Sequence, residues 1–245
     1  TDAPVPHLLG EDSVQTLSWI ARAVVKDARA HGLTSIGITG SSGKTSTKDL
    51  IAQLLERVGP TVAPVGSMNN EIGVPVTACR VDADTRFLVS EMGARGIGHI
   101  SWLTSLVPLD VAVVLNIGRA HVGEFGGLEA TVQAKGELVE DLAEDGWAVL
   151  NADDANVAGM ASRTKARIAW TGTGDLPEGA LQVRASDVTV DAISRARFTL
   201  EVTDERGTTR APVALAVIGR HQVGNALAAA AVGVIAGMDV ADVAT

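Results

Sequence analysis

The run Gly40-Ser41-Ser42-Gly43-Lys44-Thr45 follows the apolar hexapeptide Thr34 to Thr39 and precedes a stretch of helical periodicity. Successive backbone N–H groups in such a turn form a concave anion site, and a helix starting there adds its partial positive charge. The glycines let the backbone approach phosphate oxygens, Lys44 neutralises their charge, and the Thr45 hydroxyl is a ligand suited to Mg2+. The common pattern G-x-x-x-x-G-K-[ST] would put its first glycine at position 38, which is Ile38 here, so the glycine spacing is shortened. A Gly-Ser turn that happens to carry a lysine is the plain alternative. The strand before it and the helix after it argue for the phosphate loop.

Three more polar residues close apolar runs: Glu91 ends RFLVSE, Asn116 ends DVAVVLN, and Asn151 ends WAVLN. If those runs are parallel strands, their carboxyl ends share one edge with the phosphate loop, where ligands bind. Glu91 then suits the acidic Mg2+ ligand of a nucleotide site, against the alternative of a solvated carboxylate at a strand end. His121 lies in the glycine-rich loop NIGRAHVGEFGG. It is a second candidate ligand, although Mg2+ prefers oxygen; a histidine bonded to loop backbone is the other reading. Lys135 sits among apolar neighbours on the next helical stretch, where a lysine lying along the surface with its head in water is the ordinary expectation.

The elements that must hold these groups alternate along the chain. A helix capped by Asp12 or Ser13 presents Leu17, Ala21, Val24, Val25 and Ala28 on one face and stops at Gly32. Strands are predicted at 34–39, 61–65, 86–91, 110–116, 147–151 and 166–171, with helices over 47–58, 73–81, 98–107, 128–144 and 154–163 between them. This alternation predicts an α/β fold: a mostly parallel P-loop-type sheet with helices on both faces. From Leu181 to Ile218 polar and apolar residues alternate around a turn at Glu205-Arg206-Gly207, which predicts an antiparallel β extension near the C-terminus. A last Ala-rich helix from about His221 to Gly237 is apolar on most faces and should be buried.

Composition narrows the partners. The 245 residues are 46% hydrophobic with a net charge of −9, enough for a buried core and too apolar for disorder. A net negative chain without a basic run does not bind duplexes through phosphates, and three Phe, four Trp and no Tyr offer little stacking surface, so no nucleic acid is expected. Cys79 is the single cysteine, which rules out an internal disulfide, and its apolar surroundings predict a core residue. The longest apolar run, Ala226 to Met238, is shorter than the ~20 residues of a membrane span. The first residue is Thr and no signal peptide is visible, so the reducing cytoplasm is the default setting; a monomer is expected. His7, His31 and His99 are expected in ordinary surface or capping roles.

The segments T-G-S-S-G-K-T (39–45), N-N-E-I-G-V-P (69–75), S-E-M-G-A-R (90–95), N-I-G-x-A-H (116–121), A-K-G-E (134–137), L-N-A-D-D (150–154) and G-R-H-Q-V-G-N-A-L-A-A (219–229) occur in this order. With them the chain resembles the Mur ligase family, the ATP-dependent amide ligases of peptidoglycan precursor synthesis and folate polyglutamylation, over nearly all of residues 30–237. The resemblance is strongest to members that join D-alanyl-D-alanine to a UDP-muropeptide. It implies ATP and Mg2+ as cofactors, with ATP held by Gly40, Ser41, Ser42, Gly43, Lys44, Thr45 and Ser46 and framed by Asn151, His221 and Asn225. Thr45 and Glu91 would hold one Mg2+. His121 and a carbamylated Lys135 would help hold a second, and an unmodified Lys135 on phosphate is the competing idea. Lys44, Glu91, His121 and Lys135 would then be the catalytic set, with Asn69, Asn70 and Glu71 toward the muropeptide.

For His221 and Asn225, capping of the last helix is the alternative, and Gln222 stands where the family often has Asn. The resemblance further implies that residues 1–25 are the end of a UDP-binding domain and 26–245 a central ATP-binding domain, without the carboxyl-terminal domain and with little activity alone. A different amine-adding ligase of the family, and a nucleotide-binding module without chemistry, are the rival readings.

Overall fold

The computed structural model describes residues 10–118 and 127–245. Helix α1 (Ser13–Ala30) starts where Asp12 Oδ1 accepts the N–H groups of Val14 (2.8 Å) and Gln15 (2.9 Å), and Gly32 ends it at φ +98°. Its buried residues are Ser18, Ala21, Val25 and Ala28. The domain boundary expected between residues 25 and 26 lies within this continuous helix.

Next come β1 (Thr34–Thr39), α2 (Lys44–Glu56), β2 (Thr61–Val62), α3 (Gly73–Ala78), β3 (Phe87–Glu91), α4 (His99–Leu106) and β4 (Val111–Val114). They are followed by α5 (Leu128–Glu140), β5 (Trp147–Asn151), α6 (Ala155–Ala158) with a 3-10 turn at Gly159–Arg163, and β6 (Arg167–Gly172). The chain closes with β7 (Leu181–Val190), β8 (Arg195–Asp204), β9 (Gly207–Ile218), α7 (Gln222–Ile235) and α8 (Val240–Val243). The strands form one nine-stranded sheet in the order β2-β3-β1-β4-β5-β6-β7-β8-β9.

Alternate residues of the central strands feed two cores, as a sheet covered on both faces requires. Ile36, Ile38, Val89, Val113 and Val149 pack with Ile51 and Leu55 of α2 and with the Ala-rich α7. Leu88, Ala112, Val114, Ala148 and Leu150 face the other way, onto α1, α3, α4 and α5. Full burial of each large aliphatic side chain contributes about 2 kcal/mol, so these layers hold the strand ends in place. The Ala-rich α7 is buried as expected.

The predicted antiparallel extension is present as β7, β8 and β9, and it joins the rest of the sheet through a parallel pairing. β7 pairs parallel with β6, Ala169 opposite Leu181, and only β7–β8 and β8–β9 are antiparallel. The short connection suffices because the chain must recover only about three residues of strand, roughly 10 Å, before pairing again. Asp153 fastens it through Thr173 N (2.8 Å) and Thr173 Oγ1 (2.9 Å). β2 is shorter than 61–65: Pro64 cannot donate to a ladder, and its carbonyl accepts Lys48 Nζ instead (2.9 Å). Cys79 ends α3 half-buried rather than in the core. Among the described residues, no helix is long and apolar enough to cross a membrane.

Candidate functional site

β1 delivers the chain to Gly40, and the loop turns into α2 at Gly43, whose φ of +82° is left-handed. A side chain there is strained by about 1–2 kcal/mol, and its Cβ would stand 2.5 Å from Asn225 Oδ1. Glycine is therefore required twice at this position. Because α2 begins at Lys44, the first amide to bond back along the helix is Thr47 N, to Gly43 O (2.9 Å). The N–H groups of Lys44, Thr45 and Ser46 are the first-turn donors left for a ligand. Ser41 Oγ and Thr39 Oγ1 are buried beside them without a partner among the described residues.

Two lysines 91 positions apart meet over this loop. Lys44 Nζ (2.9 Å) and Lys135 Nζ (3.2 Å) both donate to Gly40 O. Lys135 is 6% exposed, so it is not a surface lysine. Burial and then the neighbouring Lys44 charge push its pKa down to about 8. Burial also lowers the Lys44 pKa, with Glu91 opposing.

Glu91 is 1% exposed at the end of β3, in register with Ile38 of β1. Its Oε2 accepts Thr45 Oγ1 (3.0 Å), and its Oε1 accepts Ser67 Oγ (3.1 Å) and Asn69 Nδ2 (2.7 Å). Only neutral groups hydrogen-bond this buried side chain, and the Lys44 charge interacts with it. The Thr45 hydroxyl and Glu91 carboxylate are hard oxygen donors and fit Mg2+, which commonly takes one or two protein ligands and completes its shell with phosphate and water. Among the described residues, no group of three or more His, Cys, Asp or Glu forms a larger cage.

The other expected residues divide. Asn69 supports Glu91, whereas Asn70 Oδ1 caps α3 by accepting Ile72 N (3.2 Å) and Gly73 N (2.8 Å). Glu71 pairs with Arg95 Nη1 (2.6 Å), and His99 lies beside it with Nε2 3.7 Å from Oε2. Asn151 bridges strand ends, donating to Leu115 O (2.9 Å) and accepting Asp153 N (3.0 Å). His221 stands at the first position before α7 with no capping bond from its side chain. Asn225, 6% exposed, lies against Gly43 and donates to Gln222 Oε1 (2.7 Å), so Gln222 has a part in holding it. Neither residue serves as the cap that was the alternative. His121, like His7, lies outside the described residues.

Sequence reasoning missed three supports. Ser67 shares Glu91 with Asn69, and the buried Lys48 fastens the loop carrying both through Pro64 O. Glu137, in A-K-G-E, caps α4 from α5 by accepting Gly98 N (2.6 Å) and Ser101 N (3.1 Å). Proximity to the motifs was the one available signal.

A model of the Mur ligase middle domain matches residues 38–233. The UDP-N-acetylmuramoyl-tripeptide–D-alanyl-D-alanine ligase of Mycobacterium leprae is 45% identical over 240 residues, covering 96% of this chain and 46% of that enzyme. MurF from Acinetobacter baumannii superposes with a TM-score of 0.85 at 31% identity, over 100% of this chain and 51% of its own. MurF from Thermotoga maritima, solved in complex with ADP, gives a TM-score of 0.78 at 27% identity, over 100% of this chain and 55% of its own. The chain thus spans about half the length of the relatives it matches. By sequence, by fold and by the phosphate-loop geometry, the chain belongs to the Mur ligase family and carries its middle domain.

Proposed function

We propose that this chain is the nucleotide-binding domain of an ATP- and Mg2+-dependent ligase that joins D-alanyl-D-alanine to UDP-N-acetylmuramoyl-tripeptide through an acyl phosphate. The observation that carries the reading is the meeting of Lys44 and Lys135 on Gly40 O beside the Thr45–Glu91 pair. The activity by which the relatives are named supports the choice of substrates. The working unit in this reading is 26–245, in the cytoplasm.

A carboxylate and an amine do not condense readily in water, because the oxygen that must leave is a poor leaving group. In the proposed reaction a substrate carboxylate oxygen bonds to the γ-phosphorus as the bond to the bridging oxygen breaks and ADP leaves. The amine then bonds to the acyl carbon, inorganic phosphate leaves, and the amine gives up a proton. This chain's part is positioning and charge neutralisation. The Gly43–Ser46 amides and Lys44 hold the phosphates, and Asn151, His221 and Asn225 frame the nucleoside. Thr45 and Glu91 would hold Mg2+, which when bound screens charge at the transferring phosphoryl group.

Lys135 suits carbamylation. A pKa of about 8 leaves roughly a quarter of the amine neutral at pH 7.5, against about 0.1% for an ordinary lysine. The neutral nitrogen bonds to the carbon of CO2 and releases a proton, which replaces a buried cation beside Lys44 with an oxygen-bearing anion able to hold Mg2+, together with His121. Asn69, Asn70 and Glu71 lie toward the muropeptide in this reading. The experiment is Mg-ADP binding by calorimetry. Wild type binds, Lys44→Ala binds at least ten-fold more weakly, and Glu91→Gln loses the difference between Mg-ADP and ADP in chelator. Unchanged binding in both variants would remove the basis of the proposal.

A further inference from the structure

The position of the usual first loop glycine is Ile38, fully buried inside β1. The phosphate loop therefore leaves its strand without a hinge glycine there, and its shape is set from outside. Lys135 bonds Gly40 O from α5, and among the described residues Asn116, just beyond β4, makes the hydrogen bonds that hold Ser41 and Ser42 from outside the loop. Its main-chain oxygen accepts Ser41 N (2.9 Å), its Oδ1 accepts Ser42 N (3.0 Å) and Ser42 Oγ (3.3 Å), and its Nδ2 donates to Ser42 O (3.1 Å). A primary amide here pairs with both backbone groups of Ser42 as a neighbouring strand would. Aspartate could supply only the acceptors, and alanine neither.

Asn116 is itself fastened on both sides. Leu115 N donates to Thr39 O (3.0 Å), Leu115 O accepts Asn151 Nδ2 (2.9 Å), and Ile117 N donates to Asp154 Oδ2 (2.7 Å). The side chain thus projects from a rim that ties the ends of β1, β4 and β5 together. Ser42, by contrast, is exposed and has no secondary structure of its own.

We propose that Asn116 is a positioning residue for the nucleotide phosphates. It engages Ser41 and Ser42 from outside the loop, so that the Gly43 to Ser46 amides stay turned together toward the anion. It sets affinity without touching phosphate. The proposal rests on the nucleotide reading above.

The test uses the chain labelled with 15N, as wild type, Asn116→Ala and Asn116→Asp. Amide hydrogen exchange is read in the free protein, and Mg-ADP affinity by titration. In Asn116→Ala the Ser42 amide exchanges at least ten-fold faster and the Mg-ADP Kd rises about ten-fold, the scale of one or two lost hydrogen bonds. The Ile38 and Val113 amides of the sheet keep their protection. Asn116→Asp, which retains an acceptor for Ser42 N, restores slow exchange at that amide. Unchanged Ser42 exchange, unchanged Mg-ADP affinity, or loss of protection across β1 and β4 in Asn116→Ala would each overturn the proposal. Wild-type protein that takes up no Mg-ADP overturns the nucleotide reading and this proposal with it. Wild-type binding that persists undiminished in Asn116→Ala overturns this proposal alone.

Discussion

Replacing Lys135 with methionine is expected to stabilise the chain while removing a group the proposed reaction needs. The Lys135 ammonium is 6% exposed, faces Lys44, and has Gly40 O as its one acceptor among the described residues. A pKa pushed from the ordinary 10.5 to about 8 corresponds to about 3 kcal/mol against the charged form in the folded state. Methionine keeps most of the side-chain volume and carries no charge. Its loss of the bond to Gly40 O, which Lys44 still satisfies, returns about 1 kcal/mol and leaves a net gain of about 2 kcal/mol.

The pH dependence has a definite sign. Between pH 8 and 10.5 the unfolded chain binds this proton and the folded chain releases it, so wild-type stability rises with pH across that window. The advantage of methionine is therefore full below pH 8 and gone above 10.5. Thermal melts in buffer stripped of CO2 should show Lys135→Met about 4–8 °C above wild type at pH 7, with a clearly smaller difference at pH 9.5. A variant no more stable than wild type at pH 7, or a difference that does not shrink with pH, would refute the reasoning.

Three further outcomes follow from the same geometry. In 13C-labelled bicarbonate, wild type should show a carbamate carbonyl resonance near neutral pH that Lys135→Met lacks; identical spectra would leave Lys135 an unmodified amine. Gly43→Ala should cost about 2 kcal/mol or more from its left-handed backbone and the Asn225 contact, whereas Gly224→Ala, inside α7 with open space at its Cβ, should gain about 0.5–1 kcal/mol. Urea melts of the two variants check the opposite signs. Glu137→Ala leaves Gly98 N and Ser101 N without their acceptor and should cost about 2 kcal/mol, with faster amide exchange at both.

The site was legible in the sequence where a single residue type breaks a pattern. Glu91, Asn116 and Asn151 are polar residues closing apolar runs, and parallel pairing of those runs brings them to one edge. The glycine loop was legible for the same reason, since small residues and a lysine follow a buried strand. Contacts made across the fold were not. Lys135 reads as an ordinary helical lysine until the packing of α5 puts its ammonium on Gly40 O. Asn225 reads as a cap until α7 lies against Gly43. The parallel pairing of β7 depends on how little strand the preceding turn must recover, which alternation of residues does not encode. Glu137, on α5, caps α4, a helix far from it in sequence.

The most direct measurement of the central claim is a crystal structure of this chain grown with Mg2+ and a non-hydrolysable ATP analogue. The account predicts the terminal phosphates on the Gly43–Ser46 amides and Lys44, Mg2+ bound by Thr45 Oγ1 and Glu91, and Lys135 facing the same phosphates. Nucleotide bound at another surface, or seated on the loop with Glu91 and Lys135 both turned away from it, would contradict the account.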